Sequence, residues 1–403
     1  MNGPNAVPPR LSGLRVALVN WRDPWHERAG GAEAYAWEIG RRLAEWGADL
    51  TFVTARGPGQ AAAETVAGVR IVRGGGTFTV YARAAASLWR RRRAFDVVID
   101  CQNGIPFFTP LLVPREVRVL CVVHHVHDAQ FGVHFPGWLA RLGRFLEGPV
   151  ARRVYRRRLC VAVSPSTVAA MRCRLAWTGP ITVVPNGGHP PRQARHERTE
   201  RPSLVCVGRM VPHKRMELVV GLAETLRAEW PGLTVDLVGR GPELGRLTAL
   251  VAERGLTHVV RLHGHVPEEE KERLVGRAWA HLSASQGEGW GLSVLEAAAL
   301  GVPTVAFDVD GLRDAVRDGR TGWLAGESTG EGTAEGTAEG TAEGTGEGRS
   351  LAKVTSEALT LLSDPARAAE TARECRAWAA GFTWDRSAAM FAGLLPDAPR
   401  KGR

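Results

Sequence analysis

The stretch "LTVDLVGRGPELGRLTALVAERGLTHVVRLHG" (residues 233–264) contains one complete strand–helix–strand unit. The apolar runs 233–239 and 259–264 have the length of buried strands, and the segment 242–254 between them has the apolar period of a helix. Two strands joined through a helix pair in parallel, with the helix covering one face of the sheet. The stretch therefore predicts an α/β fold.

The same alternation continues on both sides of this unit. Further strands are predicted at 14–20, 48–56, 95–101, 117–123, 159–164, 203–209, 280–285 and 302–307, and further helices at 31–47, 216–230, 268–280 and 292–300. Because the alternation stops near residue 188 and restarts near residue 203, it favours two doubly wound, Rossmann-like domains that face a cleft.

Composition sets the expected domain boundaries. They are a leader (1–13), an N-terminal Rossmann-like domain (14–188), a polar linker (189–202), a C-terminal Rossmann-like domain (203–380) with an acidic insert (328–349), and a last helix (381–395). The insert is built on a GTAE repeat that starts at Gly332 and has no apolar residue larger than alanine. Such a segment cannot cover a core, so we expect a disordered tether.

Charge and cysteine content restrict the cellular setting. The net charge of +10 favours anionic partners, and the six cysteines contain no CxxC pair, which favours free thiols in a reducing compartment. No secretory signal or apolar run of bilayer length is present, so a cytoplasmic protein is expected. The arginine clusters 90–93 and 151–158 favour a solvated face, with peripheral contact to an acidic membrane as the alternative. Nucleic-acid binding is disfavoured because no aromatic interleaving accompanies the arginines.

The stretch "EGWGLSVLE" (288–296) carries the clearest chemical signal. It follows the predicted strand 280–285 and begins a helix, and its glycines allow a ligand to approach the backbone closely. The start of a helix binds anions, while Glu288 and Glu296 can accept hydrogen bonds from hydroxyl groups. A ligand with phosphate in its middle and polyols at both ends fits this pattern. The alternative is that both glutamates are solvated surface residues.

Other strand ends add to this signal. Arg209 ends the predicted strand 203–209 and Lys214 lies on the loop after it, and both side chains can reach a diphosphate at the same sheet edge. Gly30 and Gly31 stand at a helix start in the first half. The segment "VVHHVHDAQF" (122–131) places three histidines and Asp128 at another strand end.

These residues together resemble the retaining glycosyltransferases of family 4, which have the GT-B fold. Glu288 and Glu296 match the E-x7-E motif, Arg209 and Lys214 the G-R-x-x-x-x-K element, and "RAGGAE" (28–33) the G-G-x-E element. The segments "VPNGG" (184–188) and "FTWDRSAAMF" (382–391) resemble the family's hinge and its C-terminal helix, which crosses back to the first domain. In the loop "DGLRDAV" (310–316), Asp310 and Asp314 replace the family's first glycine and its glutamate, so this loop departs from the family's pattern of donor-sugar contacts.

The resemblance implies that the domain 14–188 binds the acceptor and that the domain 203–380 binds the nucleotide sugar. It also implies a role for each matched position. Glu296 would hold the ribose and Glu288 a hydroxyl of the donor sugar. The diphosphate would be neutralised by Arg209, Lys214 and backbone amides. His125 would assist transfer near the sugar ring, with His124 as the other candidate, and Gly30 and Gly31 would face the phosphate and the acceptor. The expected nucleotide-sugar-binding residues are Gly30, Gly31, Gly208, Arg209, Lys214, Glu288, Gly289, Gly291, Leu292 and Glu296, and the expected catalytic residues are His125, Glu288, Arg209 and Lys214.

The implied activity is that of a retaining hexosyltransferase. It would transfer a sugar from a nucleotide-diphosphate sugar to a hydroxyl of a small-molecule, glycan or lipid-linked acceptor, in natural-product or cell-envelope biosynthesis, without cofactor or essential metal. The alternatives are a nucleotide-sugar epimerase or hydrolase on the same fold and a non-catalytic protein that binds sugar nucleotides or phospholipids.

Three patterns imitate other sites. "VGRGPELG" (238–245) resembles a dinucleotide fingerprint, but no acidic residue ends the next strand, so a helix-start turn is favoured. "DVD" (308–310) resembles a metal-binding motif but follows the predicted phosphate helix, so we interpret it as a loop. The histidines 124, 125 and 127 alternate in direction on a strand end, which disfavours zinc.

Overall fold

The computed structural model describes residues 11–128, 131–132, 136–193, 196–326 and 350–397. The chain divides into two compact units, one formed by Met1–Gly187 with Phe382–Arg403 and the other by Gly188–Gly381. The insert predicted at 328–349 and residues 1–10 of the predicted leader lie outside the described residues.

The first unit is built on an eight-stranded sheet. Its strands are β1 (Arg15–Val19), β2 (Asp49–Thr54), β3 (Ala63–Val66), β4 (Val69–Arg73), β5 (Val97–Gln102), β6 (Arg118–Val123), β7 (Leu159–Ala162) and β8 (Ile181–Val183), in the order β3-β4-β2-β1-β5-β6-β7-β8. All neighbours pair in parallel except β3 and β4. The helices are α1 (Gly31–Glu45), α2 (Thr79–Arg90), α3 (Gly137–Phe145), α4 (Ala151–Tyr155) and α5 (Pro165–Cys173). Strand β5 is buried along its whole length, as helices on both faces of a parallel sheet require.

The second unit is built on a six-stranded parallel sheet. Its strands are β9 (Ser203–Val207), β10 (Thr234–Val238), β11 (Val260–Gly264), β12 (Ala280–Ser283), β13 (Thr304–Phe307) and β14 (Gly322–Ala325), in the order β11-β10-β9-β12-β13-β14. The helices are α6 (Met216–Leu226), α7 (Leu244–Glu253), α8 (Glu268–Arg277), α9 (Leu292–Ala299), α10 (Leu312–Ala315), α11 (Leu351–Ser363) and α12 (Pro365–Ala379). The order reverses between β9 and β12, and ligands of such sheets bind at the carboxyl ends of the strands at this point.

The last helix, α13 (Trp384–Ala392), belongs to the first unit and packs against α1. Trp384 is buried there, and Arg42 of α1 forms an ion pair with Asp385. A Cβ atom on Gly187 would lie 2.2 Å from the backbone nitrogen of Trp384, so this position has room only for glycine. The C-terminal helix therefore returns to the first unit, as the resemblance implied.

Local structure departs from the sequence interpretation in two places. The region 57–92, in which no strand or helix was predicted, contains the β3–β4 hairpin and α2. The arginines of 151–158 do not lie on one helix, because α4 ends at Tyr155. The predicted linker 189–202 falls within the second unit, where Trp279 Nε1 donates a hydrogen bond of 2.8 Å to the Thr199 carbonyl oxygen.

All six cysteines are free, as predicted, and Cys173 alone among them is exposed.

Candidate active site

Two loops of the second unit meet beside the point where the strand order reverses. The loop after β9 carries Gly208, Arg209 and Lys214, and the turn after β12 carries Glu288. Arg215 joins them, since its guanidinium donates hydrogen bonds to the carbonyl oxygens of Ala284 (2.8 Å) and Ser285 (3.2 Å). The two loops are therefore held together by side-chain to backbone contacts.

Lys214 and Glu288 form an ion pair at the centre of this arrangement. The same carboxylate oxygen accepts a hydrogen bond of 2.6 Å from the buried Ser285 hydroxyl. Burial alone would raise the pKa of Glu288, but the charge of Lys214 and the hydrogen bonds from Lys214 and Ser285 outweigh it and lower the pKa. Glu288 is therefore a carboxylate at neutral pH and accepts hydrogen bonds rather than donating a proton.

The turn ends at a helix start. Gly291 has φ +85°, a backbone conformation that favours glycine, and it caps α9. The amides of Val294 and Leu295 donate to the Gly291 carbonyl oxygen (3.0 and 3.2 Å), whereas those of Leu292 and Ser293 have no backbone acceptor among the described residues. The loop after β13 supports the turn, because the Glu288 amide donates a hydrogen bond of 2.9 Å to the Asp310 carbonyl oxygen. A Cβ atom on Gly311 would lie 2.2 Å from the Glu288 carbonyl oxygen, so the two loops pack backbone to backbone.

Glu296 lies further along α9 and has a different partner. Its carboxylate accepts a hydrogen bond of 3.0 Å from Nζ of Lys271 on α8, which also contacts Glu268 at 2.7 Å. Burial lowers the pKa of Lys271, but the two glutamates more than offset this and raise it. The Glu296 side chain remains 41% exposed, so a ligand can reach its carboxylate.

The four charged side chains among the expected donor-binding residues are thus arranged in three ways. Lys214 and Glu288 contact each other, Glu296 pairs with Lys271, and the exposed Arg209 guanidinium has no hydrogen bond or ion pair with any residue that the structure describes. Ser285, Arg215 and Lys271 were not expected from the sequence. Their roles depend on which strands are neighbours in the sheet, and no local pattern indicates this.

The fingerprint-like turn 238–245 has a purely structural explanation. A Cβ atom would lie 1.8 Å from the Gly208 carbonyl oxygen if placed on Gly239, and 2.1 Å from the Met210 carbonyl oxygen if placed on Gly241. These glycines therefore make room for the loop after β9. In the other look-alike, Asp308 accepts a hydrogen bond of 2.8 Å from Arg313, which also lies 3.6 Å from Asp310.

In the first unit, Gly30 caps α1 and Gly31 is the first residue of this helix. The Gly30 amide donates a hydrogen bond of 2.8 Å to the carboxylate of the buried Glu33. Because a carboxylate already occupies this helix start, the Gly30 amide is not available to a phosphate in this conformation.

The histidines after β6 have different surroundings. His124 is buried edge-on against Tyr35, and burial lowers its pKa to about 3, whereas His125 is only half-buried. The His127 amide donates a hydrogen bond of 2.7 Å to Glu147, a buried residue in a π-helical turn that the sequence did not single out. Within the described ranges, no three potential ligands are grouped so that they could hold a metal ion.

Comparison with known proteins gives a consistent result. Residues 29–192 match the family described as Glycosyltransferase Family 4, and residues 191–339 match the family described as Glycosyl transferases group 1. The chain is 26% identical to a GDP-mannose-dependent alpha-(1-6)-phosphatidylinositol monomannoside mannosyltransferase of Mycobacterium tuberculosis, over 94% of this chain and 98% of that protein. It is 30% identical to the glycogen synthase of the same organism over 55% of this chain, and the match spans only about half (50%) of that enzyme's length.

The sucrose-phosphate synthase structure from Thermosynechococcus elongatus has the same fold, with a TM-score of 0.77 and 20% identity over 94% of this chain and 98% of that chain. None of the helices that the structure describes is long and apolar enough to span a membrane.

Proposed function

The chain belongs to glycosyltransferase family 4, and from this premise we propose that it is a retaining hexosyltransferase. It would transfer a sugar from a nucleotide-diphosphate sugar to an acceptor hydroxyl. The observation that carries the proposal is the ion pair of Lys214 with Glu288, next to the helix start at Gly291. One cation, one carboxylate and one set of backbone amides are the groups that a sugar linked to a diphosphate requires.

The diphosphate would be bound by positive charge from three sources. The exposed Arg209 guanidinium can bind two phosphate oxygens at once, Lys214 supplies a point charge, and the amides at the start of α9, with Leu292 among them, supply a helix terminus. Gly208, Gly289 and Gly291 would allow close approach of the ligand. Breaking the bond to the sugar develops charge on this diphosphate, and each donor aimed at that charge contributes about 3 kcal/mol.

The two glutamates would bind the two polyol ends of the donor. Glu288, whose lowered pKa keeps it ionised, would accept a hydrogen bond from a hydroxyl of the sugar. Glu296, exposed on one side and held by Lys271 on the other, would accept hydrogen bonds from the ribose. Because Glu288 is already paired with a lysine, its proposed role is to orient the sugar, and front-face transfer with retention needs no carboxylate nucleophile.

The first unit would supply His125, with Gly30 and Gly31 at the start of α1. Between the two adjacent histidines we favour His125, because His124 is buried against Tyr35 and is neutral at physiological pH. The positive groups described above make an essential divalent metal unnecessary in this proposal. EDTA should therefore leave transfer unchanged, and a strict requirement for a divalent ion would refute this part of the proposal.

The acceptor would be a glycan, a small molecule or a lipid-linked polyol, since the relatives include both a glycogen synthase and a phosphatidylinositol mannoside mannosyltransferase. The free cysteines fit a cytoplasmic enzyme, and peripheral contact with an acidic membrane would bring it to a lipid-linked acceptor.

The decisive experiment incubates the full chain with GDP-, UDP- and ADP-sugars and an acceptor mixture, and then determines the anomeric configuration of any product. A product that keeps the donor's configuration supports the proposal. An inverted product would refute retention. Release of free sugar or of an epimer without transfer would indicate a hydrolase or epimerase, and binding without turnover would indicate a non-catalytic protein.

A further inference from the structure

Helix α3 exposes an unusual row of large apolar side chains. Trp138 is 69% exposed, Leu142 45% and Phe145 56%. At 3.6 residues per turn, these three positions lie within about 60° of one another on the helix surface. We refer to them as the apolar stripe.

The opposite side of α3 fixes the stripe in its outward orientation. Ala140 and Gly143 are buried, and a Cβ atom on Gly143 would lie 2.7 Å from the ring of the buried Phe131. The helix therefore lies tightly on the first unit through its small residues and cannot rotate to bury the stripe without separating from Phe131.

The chain around the stripe is strongly basic. Between residues 136 and 158 there are seven arginines and a single acidic residue, Glu147, which is buried. The exposed arginines Arg141, Arg153, Arg156 and Arg157 have no ion pair with any residue in the described part of the chain. An anionic partner is therefore electrostatically favoured at this surface.

We propose that α3 docks in the plane of an anionic lipid bilayer, with the apolar stripe inserted among the headgroups and the arginines on their phosphates. Helix α3 continues through the π-helical turn Leu146–Val150 into α4, and the stripe occupies its first nine residues, about 14 Å. Its arginines exclude this helical segment from the bilayer interior, whereas an interfacial position suits it and favours tryptophan. A lipid surface fits better than a protein partner, because a single apolar row, with Arg141 beside it on the helix and further arginines after it in the chain, lacks the broad apolar centre of a stable protein interface. The inference gives the proposed peripheral contact a defined surface and does not depend on catalysis.

The test is sedimentation with vesicles of phosphatidylcholine alone or mixed with phosphatidylglycerol. The wild-type chain should bind the mixed vesicles and not the neutral ones, and binding should weaken as salt is raised. The triple variant Trp138→Ser, Leu142→Ser, Phe145→Ser should lose at least about tenfold in partitioning, since each side chain contributes a large apolar area. The matched control Trp89→Ser, Leu361→Ser removes two apolar side chains of similar exposure (58% and 45%) and should bind like wild type.

A site-specific readout complements sedimentation. In a Cys173→Ser background, which removes the one exposed thiol, Trp138→Cys carrying an environment-sensitive dye should shift to the blue with mixed vesicles. Equal binding to both kinds of vesicle, no binding, or retained binding by the triple variant would overturn the proposal. So would a change from dimer to monomer in that variant without vesicle binding, which would assign the stripe to a protein interface. Transfer to a water-soluble acceptor should be the same in the triple variant, which separates this proposal from the proposed activity.

Discussion

Lys214 and Glu288, 74 residues apart in the chain, form an ion pair that joins the loop after β9 to the turn after β12. These two strands are neighbours in the sheet. The pair keeps Glu288 ionised although the carboxylate is largely buried. Donor binding would give Lys214 a second anionic partner, so the same lysine would connect the recognition of the sugar with that of the diphosphate.

Replacing Lys214 by methionine should reduce transfer by roughly 100-fold or more, because it removes a charge aimed at the leaving group and leaves Glu288 without its cation. The measurement is kcat/KM with the best donor from the screen. Lys353→Met, which changes an exposed lysine on α11, is the control and should behave like wild type. A Lys214→Met variant with full activity would place the donor elsewhere.

Replacing Arg209 by alanine should likewise reduce transfer by roughly 100-fold while leaving the free energy of unfolding unchanged. The guanidinium is exposed and forms no hydrogen bond or ion pair with the described residues, so its removal costs the folded state little. Urea denaturation and kcat/KM measure the two effects. Arg227→Ala, at the exposed end of α6, serves as the control, and equal losses of activity in both variants would contradict a specific role for Arg209.

Glu296→Gln should weaken the binding of a nucleoside diphosphate by about tenfold, because a hydrogen bond to a charged acceptor is lost. The effect should nearly disappear with the 2′,3′-dideoxy nucleotide, which lacks the ribose hydroxyls. Lys271→Met should give a smaller loss of affinity, since it removes the group that holds the carboxylate in place. Calorimetry with both nucleotides measures this, and an equal loss with the dideoxy compound would exclude a ribose contact.

The buried His124 should make stability depend on pH. Its pKa is about 3 in the folded protein and about 6.5 when unfolded, so below pH 6.5 the unfolded state binds a proton that the folded state does not. The contribution of His124 to the free energy of unfolding is therefore fully present above pH 6.5 and decreases as the pH falls. By pH 5 it has decreased by about 2 kcal/mol.

The variant His124→Gln, whatever its stability at pH 7, should lose about 2 kcal/mol less than wild type between pH 7 and pH 5 in urea denaturation. The buried His281 still titrates in the variant, so some dependence should remain. The exposed His258→Gln is the control. Identical pH profiles of the His124 variant and wild type would contradict a buried, neutral imidazole.

Gly187→Ala should destabilise the first unit by about 2 kcal/mol or more, because its Cβ atom would overlap the backbone of Trp384, which cannot move without displacing α13. Gly245→Ala places a Cβ atom in open space within α7 and should instead stabilise the protein by up to about 1 kcal/mol. Opposite changes in thermal midpoint would confirm both, and a neutral Gly187 variant would contradict the close packing of α13.

The strand–helix alternation, the fold and the return of the C-terminal helix could be predicted, because buried parallel strands and amphipathic helices leave distinct periods in the sequence. The hairpin 63–73 could not, since β3 is mostly exposed and lacks the apolar run of a buried strand. The sequence indicated Glu288, Glu296, Arg209 and Lys214 as a set. It did not indicate that Lys271 pairs with Glu296 or that Glu33 occupies the amide of Gly30, because both depend on where side chains lie after folding.

Gly239 and Gly241, in the turn after β10, leave space that the backbone of the loop after β9 occupies. A chimera that replaces residues 207–215 by those of a relative, to alter nucleotide preference, must therefore also replace residues 238–241. The two segments pack backbone to backbone, with no space for a Cβ atom at Gly239 or Gly241. A graft of the first segment alone would be expected to fail for steric reasons, whatever the chemistry of its side chains.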